Sequence, residues 1–389
     1  MAEEPTPRGF LSAGLDYLGS RFLNLPPEKC GYTTQAVRVP MRDGVELAAD
    51  LYLPQLPEGQ DAAGLIMVQC CYGRDAGIAF VNARVFAARG FKVLFVSTRG
   101  TYGSGGEFWP GRAEQSDSQD IVVWMRQQPW YPGTFATAGA SYLGYSQWAF
   151  LRDPPEDCVA AAIMVAPHDQ ARDEKKSILS NASHIPGLRF LGGRSPLTET
   201  IASLPLYSSL EKYFSERKAP WLFDYLDHPN LDDEYWTAVR HHDSLERVNI
   251  PILLISGWYD PFFTQSMAQY KRLHERGVDV KLIVGPWTHT QASGLYSMRE
   301  LLEFFSEHLA KSGKYSTAPA HIYVTGAEEW TPMPSWPPAT TPQTFYLQPN
   351  GTLGPDQPAE DARSLSFVFD PLSPTPALGG PNDDWRESG

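Results

Sequence analysis

Short apolar runs alternate with segments of helical pattern along most of the chain. The runs are rich in β-branched or aromatic residues and are bounded by polar or glycine-rich segments, which is typical of buried parallel strands. They are Gly64–Gln69, Phe91–Ser97, Phe135–Ala140, Val159–Val165, Pro251–Ser256 and Val280–Val284. Helical stretches such as Ser116–Gln128 and Thr264–Arg276 lie between them. The alternation predicts an α/β fold, a parallel sheet with helices on both faces.

Three regions depart from this pattern. Residues 34–53 alternate apolar and polar positions around a turn at 42–44, which predicts an antiparallel hairpin. Residues 168–247 hold helix formers and aromatic residues but no strand-like run, so we expect a helical insertion. Residues 313–389 are proline-rich, with strand-like pieces typical of an all-β domain. Those pieces are His321–Thr325, Thr344–Leu347 and Ser366–Phe369.

The pattern thus divides the chain into five predicted segments. They are an N-terminal extension over 1–33, the first part of the α/β core over 34–167, a helical cap insertion over 168–247, the second part of the core over 248–312, and the start of a β domain over 313–389.

The charge balance narrows the range of partners. Lys and Arg together number 32 and Asp and Glu 45, which gives a formal net charge of −13. Phosphate binding needs basic patches, so this excess of acid argues against a nucleic acid or an anionic membrane as partner. The N-terminal residues lack the apolar core of a signal peptide, and no apolar run approaches the roughly 20 residues of a membrane span. We therefore expect a cytoplasmic protein.

The cysteines point away from metal chemistry. Cys30, Cys70, Cys71 and Cys158 form no C-x-x-C pair and no metal-like spacing. Cys70 and Cys71 lie in or just after an apolar run, where free cysteine behaves as a small buried hydrophobe. Since the chain also carries no motif for an organic cofactor, we expect neither a metal nor a cofactor at the site.

The strongest local signal for chemistry is the run FATAGASYLGYSQW at 135–148. A strand there leads into Ser141 and a helix follows, which is the pattern of a nucleophile elbow. Gly139, Ala140 and Gly144 supply the small residues that such a crowded turn needs, although Gly144 falls one place later than in the common G-x-S-x-G form. The motif alone also fits a serine in an ordinary strand–turn–helix.

A serine nucleophile needs a histidine base, and the histidine needs a carboxylate that fixes its tautomer. In α/β-hydrolases these residues follow the serine in the order acid, then histidine. Asp260 comes just after the run PILLISG, and His289 just after VKLIVG, so both lie past the carboxyl ends of strands. Asp260 could instead be an ordinary acid at a helix start. His168 also follows a strand, but it precedes any acid in that order.

Acyl transfer also needs donors for the oxyanion. The backbone N–H of Tyr142, which follows the nucleophile, is one predicted donor. The second should come from the loop after Gly64–Gln69, which lacks the HGGG pattern of many lipases. The hydroxyl of Tyr72 in that loop is a candidate, with simple packing as an equal alternative.

These residues, with further segments, make the chain resemble the CocE/NonD hydrolases, which include cocaine-esterase-like enzymes, α-amino-acid ester hydrolases and X-prolyl dipeptidyl peptidases. The matching segments are VPMRDGVELAADLYLP at 39–54, STRGTYGSGGEF at 97–108, GASYLGYSQW at 139–148, DHPNLDDEYW at 227–236, GWYDPF at 257–262 and GPWTHT at 285–290.

The resemblance implies an α/β-hydrolase core with an inserted helical cap and a C-terminal jelly roll. It also implies Ser141, Asp260 and His289 as the triad, Tyr72 as the second oxyanion donor, and Phe262 as an aromatic wall of the substrate pocket. The residues after 313 are too few for the about eight strands of a jelly roll. We therefore expect an incomplete β domain, whose unpaired strand edges favour self-association.

The leading functional hypothesis is a serine hydrolase that cleaves a small-molecule carboxylic ester or amide. Three alternatives remain open. They are an acyltransferase with the same acyl-enzyme, an X-prolyl dipeptidyl peptidase, and a non-catalytic binding protein derived from the fold. The acidic run at 224–234 could bind the ammonium group of a peptide, but such a run is more often a solvated face.

Overall fold

The fold is described from a computed structural model, which covers residues 4–171, 203–213, 220–294, 296–312, 318–373 and 375. The strands are β1 Thr6–Pro7, β2 Gly31–Pro40, β3 Glu46–Gln55, β4 Leu65–Cys70, β5 Lys92–Ser97, β6 Phe135–Ala140, β7 Cys158–Met164, β8 Ile252–Tyr259, β9 Val280–Thr288, β10 Ala320–Val324, β11 Glu329–Met333, β12 Tyr346–Leu347 and β13 Leu353–Gly354.

The α-helices are α1 Phe10–Phe22, α2 Ala76–Ala79, α3 Val85–Ala87, α4 Glu114–Met125, α5 Tyr142–Phe150, α6 Leu206–Tyr213, α7 Pro220–Asp227, α8 His242–Arg247, α9 Phe263–Glu275, α10 His289–Ala292 and α11 Met298–His308. A π-helical turn, Phe80–Arg84, joins α2 to α3, and a 3₁₀ helix, Glu234–Val239, precedes α8. Among the described residues, no helix combines the length and the apolar character needed to cross a bilayer.

The main sheet has eleven strands in the order β1-β2-β3-β5-β4-β6-β7-β8-β9-β10-β11. The strands from β5 to β10 in this order all run parallel, while β1, β2 and β3 at one edge and β11 at the other pair antiparallel. This arrangement confirms the predicted α/β fold and the hairpin of β2 and β3. It also places the carboxyl ends of β4, β6, β8 and β9 along one edge, where open α/β sheets bind their ligands.

The central strands are buried on both faces. Along β4, Ile66 and Val68 belong to the apolar cluster on one side of the sheet, and Leu65 and Met67 to the cluster on the other. Successive side chains of a strand point to opposite faces, so a strand covered by helices on both sides is apolar at most positions. This burial explains why these strands are continuous apolar runs in the sequence.

The described part of the predicted cap is helical. Helices α6 and α7 and the 3₁₀ helix pack around an apolar cluster of their own that includes Trp221 and Trp236. Residues 172–202 and 214–219 of the predicted cap lie outside the described residues. The bounds of the cap as a separate unit therefore stay a prediction.

The predicted boundary at residue 313 is wrong. β10 pairs in parallel with β9, and β11 closes the same sheet, so the core continues to Met333. The Trp258 indole N–H at the end of β8 also donates to the carbonyl of Tyr323. Beyond this point, β12 and β13 form a separate two-stranded pair, and the predicted strand at Ser366–Phe369 is not formed. A jelly roll after 333 stays a prediction.

Candidate active site

Ser141 lies in a sharp turn between β6 and α5. Its backbone has φ 58° and ψ −124°, a conformation that costs a non-glycine residue on the order of 1–3 kcal/mol. Close packing around the turn holds it in place, since a Cβ at Gly139 would lie 2.5 Å from the Cβ of Leu143. A Cβ at Gly144 would lie 2.4 Å from the Cβ of Ala166. Both glycines of the sequence motif are therefore needed by the turn itself, including the one at the unusual position.

The structure brings Ser141, His289 and Asp260 together. The His289 Nε2 atom lies 2.9 Å from the Ser141 Oγ atom, and the His289 Nδ1 atom lies 2.7 Å from the Asp260 Oδ1 atom. A carboxylate only accepts hydrogen bonds, so Asp260 places the imidazole proton on Nδ1 and leaves Nε2 free to accept from the serine. Asp260 is buried, and its Oδ2 atom accepts from the Ser256 hydroxyl at 3.2 Å.

Irregular ends of β8 and β9 position the acid and the histidine. The register between these strands shifts between Gly257 and Tyr259, just before Asp260. No side chain fits at Gly257, because a Cβ there would lie 2.0 Å from the carbonyl oxygen of Trp287. The glycine therefore lets the two chains approach closely where they turn out of the sheet, and His289 begins α10 directly after β9.

The two predicted oxyanion donors converge on the nucleophile. The Tyr72 hydroxyl donates to the Ser141 Oγ atom at 3.2 Å, and the Tyr142 backbone N–H donates to the Tyr72 hydroxyl at 3.3 Å. Burial raises the pKa of Tyr72 well above its usual value, so the phenol keeps its proton at neutral pH. Tyr72 is therefore a neutral donor within reach of the space beside the serine.

Glu114 is a residue of this site that the sequence analysis did not single out. It is buried at the start of α4 and accepts a hydrogen bond from the Tyr142 hydroxyl, which also accepts one from the Gly111 N–H at 3.1 Å. Burial raises the pKa of Glu114 to about 7, while the Tyr142 hydroxyl works in the opposite direction. The contact anchors the residue whose backbone N–H faces the nucleophile.

Phe262 lies against the histidine. Its ring centroid is 5.5 Å from that of the His289 imidazole, with the rings nearly perpendicular. The ring is partly exposed, so it can contact a bound molecule as well as the imidazole. This position fits the predicted pocket wall, although the role itself stays a prediction.

A second aspartate–histidine pair lies after β7. The Asp169 Oδ2 atom is 2.8 Å from the His242 Nε2 atom, and the His242 Nδ1 atom is 3.1 Å from the His168 Nε2 atom. Burial, together with the neighbouring His242, lowers the pKa of His168 to about 4. Among the described residues, no group of three or more His, Cys, Asp or Glu side chains could hold a metal ion.

The comparisons with known proteins agree with this fold. The family model described as X-Pro dipeptidyl-peptidase (S15 family) matches residues 43–291. Cocaine esterase of Rhodococcus sp. (strain MB1 Bresler) is 27% identical over 399 residues, which cover 88% of this chain and 68% of the relative.

Solved structures with low identity show the same fold. An α-amino acid ester hydrolase matches with a TM-score of 0.70 at 21% identity, covering 90% of this chain and 67% of that one. An aminopeptidase of the marine-sediment archaeon Thaumarchaeota archaeon gives a TM-score of 0.71 at 20% identity, with coverages of 89% and 66%. The chain thus spans about two thirds of the length of these relatives. It belongs to the X-Pro dipeptidyl-peptidase (S15) family and is a serine hydrolase of the CocE/NonD type with the α/β-hydrolase fold.

Proposed function

We propose that the chain hydrolyses small-molecule carboxylic esters through an acyl-enzyme on Ser141. The observation that carries this proposal is the continuous hydrogen-bonded line from Asp260 through His289 to Ser141, with contacts of 2.7 Å and 2.9 Å. The ester is favoured over a peptide because cocaine esterase is the 27% identical relative that aligns with most of the chain.

In the first step, the Ser141 Oγ atom attacks the ester carbonyl carbon while the His289 Nε2 atom takes the serine proton. Asp260 stabilises the imidazolium that forms and keeps its Nδ1–H directed at the carboxylate. The carbonyl electrons move to the oxygen, where the Tyr142 N–H and the Tyr72 hydroxyl donate hydrogen bonds. The tetrahedral intermediate then collapses, the C–O bond to the alcohol breaks, and His289 returns its proton to the departing alkoxide.

In the second step, His289 deprotonates a water molecule that attacks the acyl carbon. The same donors hold the second oxyanion, and the proton returns to the Ser141 Oγ atom as the carboxylic acid leaves. An alcohol in place of this water would make the chain an acyltransferase, which uses the same residues. The two reactions are distinguished by their products when an acceptor alcohol is added.

A peptide substrate is the second candidate, because the matching family model describes an X-Pro dipeptidyl-peptidase. Such an enzyme has to bind a free ammonium group. One carboxylate of the acidic run already has a structural partner, since Asp233 accepts from the Tyr235 N–H at 2.9 Å at the start of the 3₁₀ helix. This contact favours the structural interpretation of the run and leaves esters as the leading substrate class.

The test is a substrate panel of p-nitrophenyl acyl esters, the matching anilides and X-Pro p-nitroanilides. We expect ester hydrolysis in the unaltered protein and none in Ser141→Ala, a loss of about 10⁴-fold or more in kcat. Ser146→Ala is the matched control, a buried serine of α5, the helix that follows Ser141, whose hydroxyl donates to the Tyr142 carbonyl. Retention of a tenth of the activity in Ser141→Ala would overturn the proposal, and turnover of X-Pro anilides alone would establish the peptidase instead.

A further inference from the structure

Helix α1 packs on the protein with its polar side. Asp16 is buried there, where it pairs with Arg84 at 2.6 Å and accepts from the Tyr32 hydroxyl at 2.9 Å. The Ser20 hydroxyl, on the same side one turn later, accepts from Arg89 at 3.1 Å. These contacts prevent the helix from turning its other side inward without leaving charged groups unpaired, which is costly in a buried site.

The opposite side of α1 is apolar and faces outward. Phe10, Leu11 and Phe22 are 93%, 83% and 85% exposed, and Leu15 and Leu18 are more than half exposed. Large apolar residues gathered on one exposed side of a helix mark an interaction surface. Among the described residues, nothing covers this face.

The spacing of these residues indicates what kind of partner fits. Leu11, Leu15, Leu18 and Phe22 follow one another at intervals of four, three and four. This is the narrow seam of a helix that pairs with another helix, rather than the broad stripe of a helix that covers a core. The other large exposed residues of the helix are Phe10 and Tyr17.

The order of apolar residues along this face is nearly the same when it is read in either direction. About the midpoint between Asp16 and Tyr17, Leu11 corresponds to Phe22 and Leu15 to Leu18. In an antiparallel pair related by a twofold axis at that point, each apolar residue of one helix meets an apolar residue of the other. Gly14 lies beside the seam with open space where a Cβ would be, so a partner helix can approach closely there.

Size and charge also favour this partner. Aromatic residues bury roughly 150–250 Å² each. The four seam residues, together with Phe10 and Tyr17 beside them, therefore approach the about 800 Å² per partner of a standard interface. The seam carries no basic residue, so it lacks the positive charge that anchors an interfacial helix to an anionic lipid surface. A second copy of the chain needs no opposite charge at this seam.

We propose that the protein forms a dimer through antiparallel pairing of α1 with α1 of a second copy, centred on Leu15 and Leu18. This interface is separate from the self-association that the sequence predicts for the β domain. It does not depend on the proposed catalytic mechanism, since it uses no residue of that site.

The first test measures the mass of the full chain by light scattering during size exclusion. We expect a dimer for the unaltered protein and a monomer for Leu15→Glu combined with Leu18→Glu, with the dimer dissociation constant raised roughly 100-fold or more. The matched control carries the same two charges at exposed apolar positions elsewhere, Phe367→Glu with Val368→Glu, and should remain a dimer. Circular dichroism spectra and cooperative thermal melts like those of the unaltered protein show that both variants fold.

The second test fixes the register with cysteines. A mixture of Leu15→Cys and Leu18→Cys proteins should form a disulfide-linked dimer under mild oxidation, because residue 15 of one copy then meets residue 18 of the other. Each protein alone should cross-link several-fold less.

A monomeric unaltered protein would overturn the proposal and show that another part of the chain or a different partner covers the face. Dimers lost only in the Phe367→Glu and Val368→Glu control would overturn it in favour of the β domain. Binding of the monomer to phosphatidylcholine vesicles through α1 would overturn it in favour of a membrane.

Discussion

The described residues include two aspartate–histidine pairs with nearly the same distance between acid and imidazole but different surroundings. In one, Asp260 lies 2.7 Å from a ring nitrogen of His289, and in the other Asp169 lies 2.8 Å from a ring nitrogen of His242. Both carboxylates are almost completely buried, and both follow a parallel strand of the main sheet. The distance between acid and histidine therefore does not distinguish a catalytic pair from a structural one.

What differs is the group that the far ring nitrogen meets. The second nitrogen of His289 faces the hydroxyl of Ser141, which the turn between β6 and α5 exposes in a strained conformation. The second nitrogen of His242 faces His168, whose other ring nitrogen contacts the Gln269 amide. The hydrogen-bonded chain through His289 thus ends at a nucleophile. The chain through His242 ends at the amide of Gln269, which is not a nucleophile.

The second pair also joins two separate parts of the chain. Asp169 lies five residues after the end of β7, and His242 begins α8, so the pair joins the beginning of the predicted cap segment 168–247 to a point near its end. The two histidine rings meet edge to face at 4.8 Å, and Arg240 approaches Asp169 at 3.9 Å. We infer that this pair holds the two ends of the predicted cap together.

The largest expected difference between the pairs is in the histidines. His289→Gln should lower kcat for ester hydrolysis by about 10⁴-fold or more, because among the described residues no other base contacts the Ser141 hydroxyl to take its proton. His242→Gln is the matched change in the second pair and should leave kcat within about threefold. Parallel kinetics of the two variants measure this, and comparable losses in both would show that the second pair takes part in the chemistry.

The acids should differ in the same way. Asp260→Asn should reduce kcat by up to about 10⁴-fold, since an amide that donates to Nδ1 reverses the tautomer that the base requires. Asp169→Asn should instead lower the melting temperature with little change in kcat, because it weakens contacts to His242 and Arg240. Thermal melts and steady-state rates of both variants separate the two effects, and equal activity of Asp260→Asn and the unaltered protein contradicts the proposed role.

A smaller loss is expected from the oxyanion donor. Tyr72→Phe should lower kcat by about 10²- to 10³-fold with little change in KM, because its hydroxyl bonds to charge that develops only in the transition state. Tyr131→Phe is the control, since it removes a tyrosine hydroxyl that bonds to Asp157 outside the site. An unchanged kcat in Tyr72→Phe would leave Tyr72 as a packing residue and assign the second donor elsewhere.

The smallest expected effect concerns acid stability and belongs to the second pair. The pKa of His168 is lowered from 6.5 to about 4, so the neutral ring stabilises the fold above pH 6.5. That contribution to stability is lost as the pH falls from 6.5 towards 4, because the unfolded chain takes up the proton first. Urea unfolding should therefore depend less on pH over this range in His168→Gln than in the unaltered protein. An identical dependence in both would contradict this account.

His241 should retain part of this acid sensitivity in the His168→Gln variant. Burial lowers the pKa of His241 to about 3, and its two ring nitrogens have no hydrogen-bond partner among the described residues. Its ring lies 4.7 Å from that of the buried Tyr145 on α5. Protonation of either buried histidine thus lowers the stability of the fold. Replacing one of them removes only its own contribution to the pH dependence.

The chemistry of the site could be predicted largely from local patterns in the sequence. Each strand that carries a proposed catalytic residue is a short apolar run, and the residue follows its end, so the order of Ser141, Asp260 and His289 along the chain was enough to place them together. The contact of Glu114 with Tyr142 has no such signal. It joins the start of one helix to the start of another, and a glutamate at a helix start is common without any such partner.

Other features depend on pairings that no local pattern encodes. The segment of β10 has the alternation of any strand, and only its parallel pairing with β9 shows that it belongs to the main sheet. Helix α1 was missed because its polar residues face inward, towards Arg84 and Arg89, which are distant in the sequence. A pattern that assumes apolar residues inside cannot predict a helix with this orientation.

The central claim is that the hydrogen-bonded chain from Asp260 through His289 to Ser141 is catalytic. The most direct measurement is to trap the acyl-enzyme on Ser141. The protein is mixed with a slowly deacylating p-nitrophenyl ester, quenched in acid within milliseconds to seconds, and examined by intact mass and peptide mapping. We predict that the chain gains the mass of one acyl group, located on Ser141, in the unaltered protein and in His242→Gln, and that Ser141→Ala gains none. An acyl group on any other residue, or turnover of the ester with no acyl group detected at any time, would contradict the account.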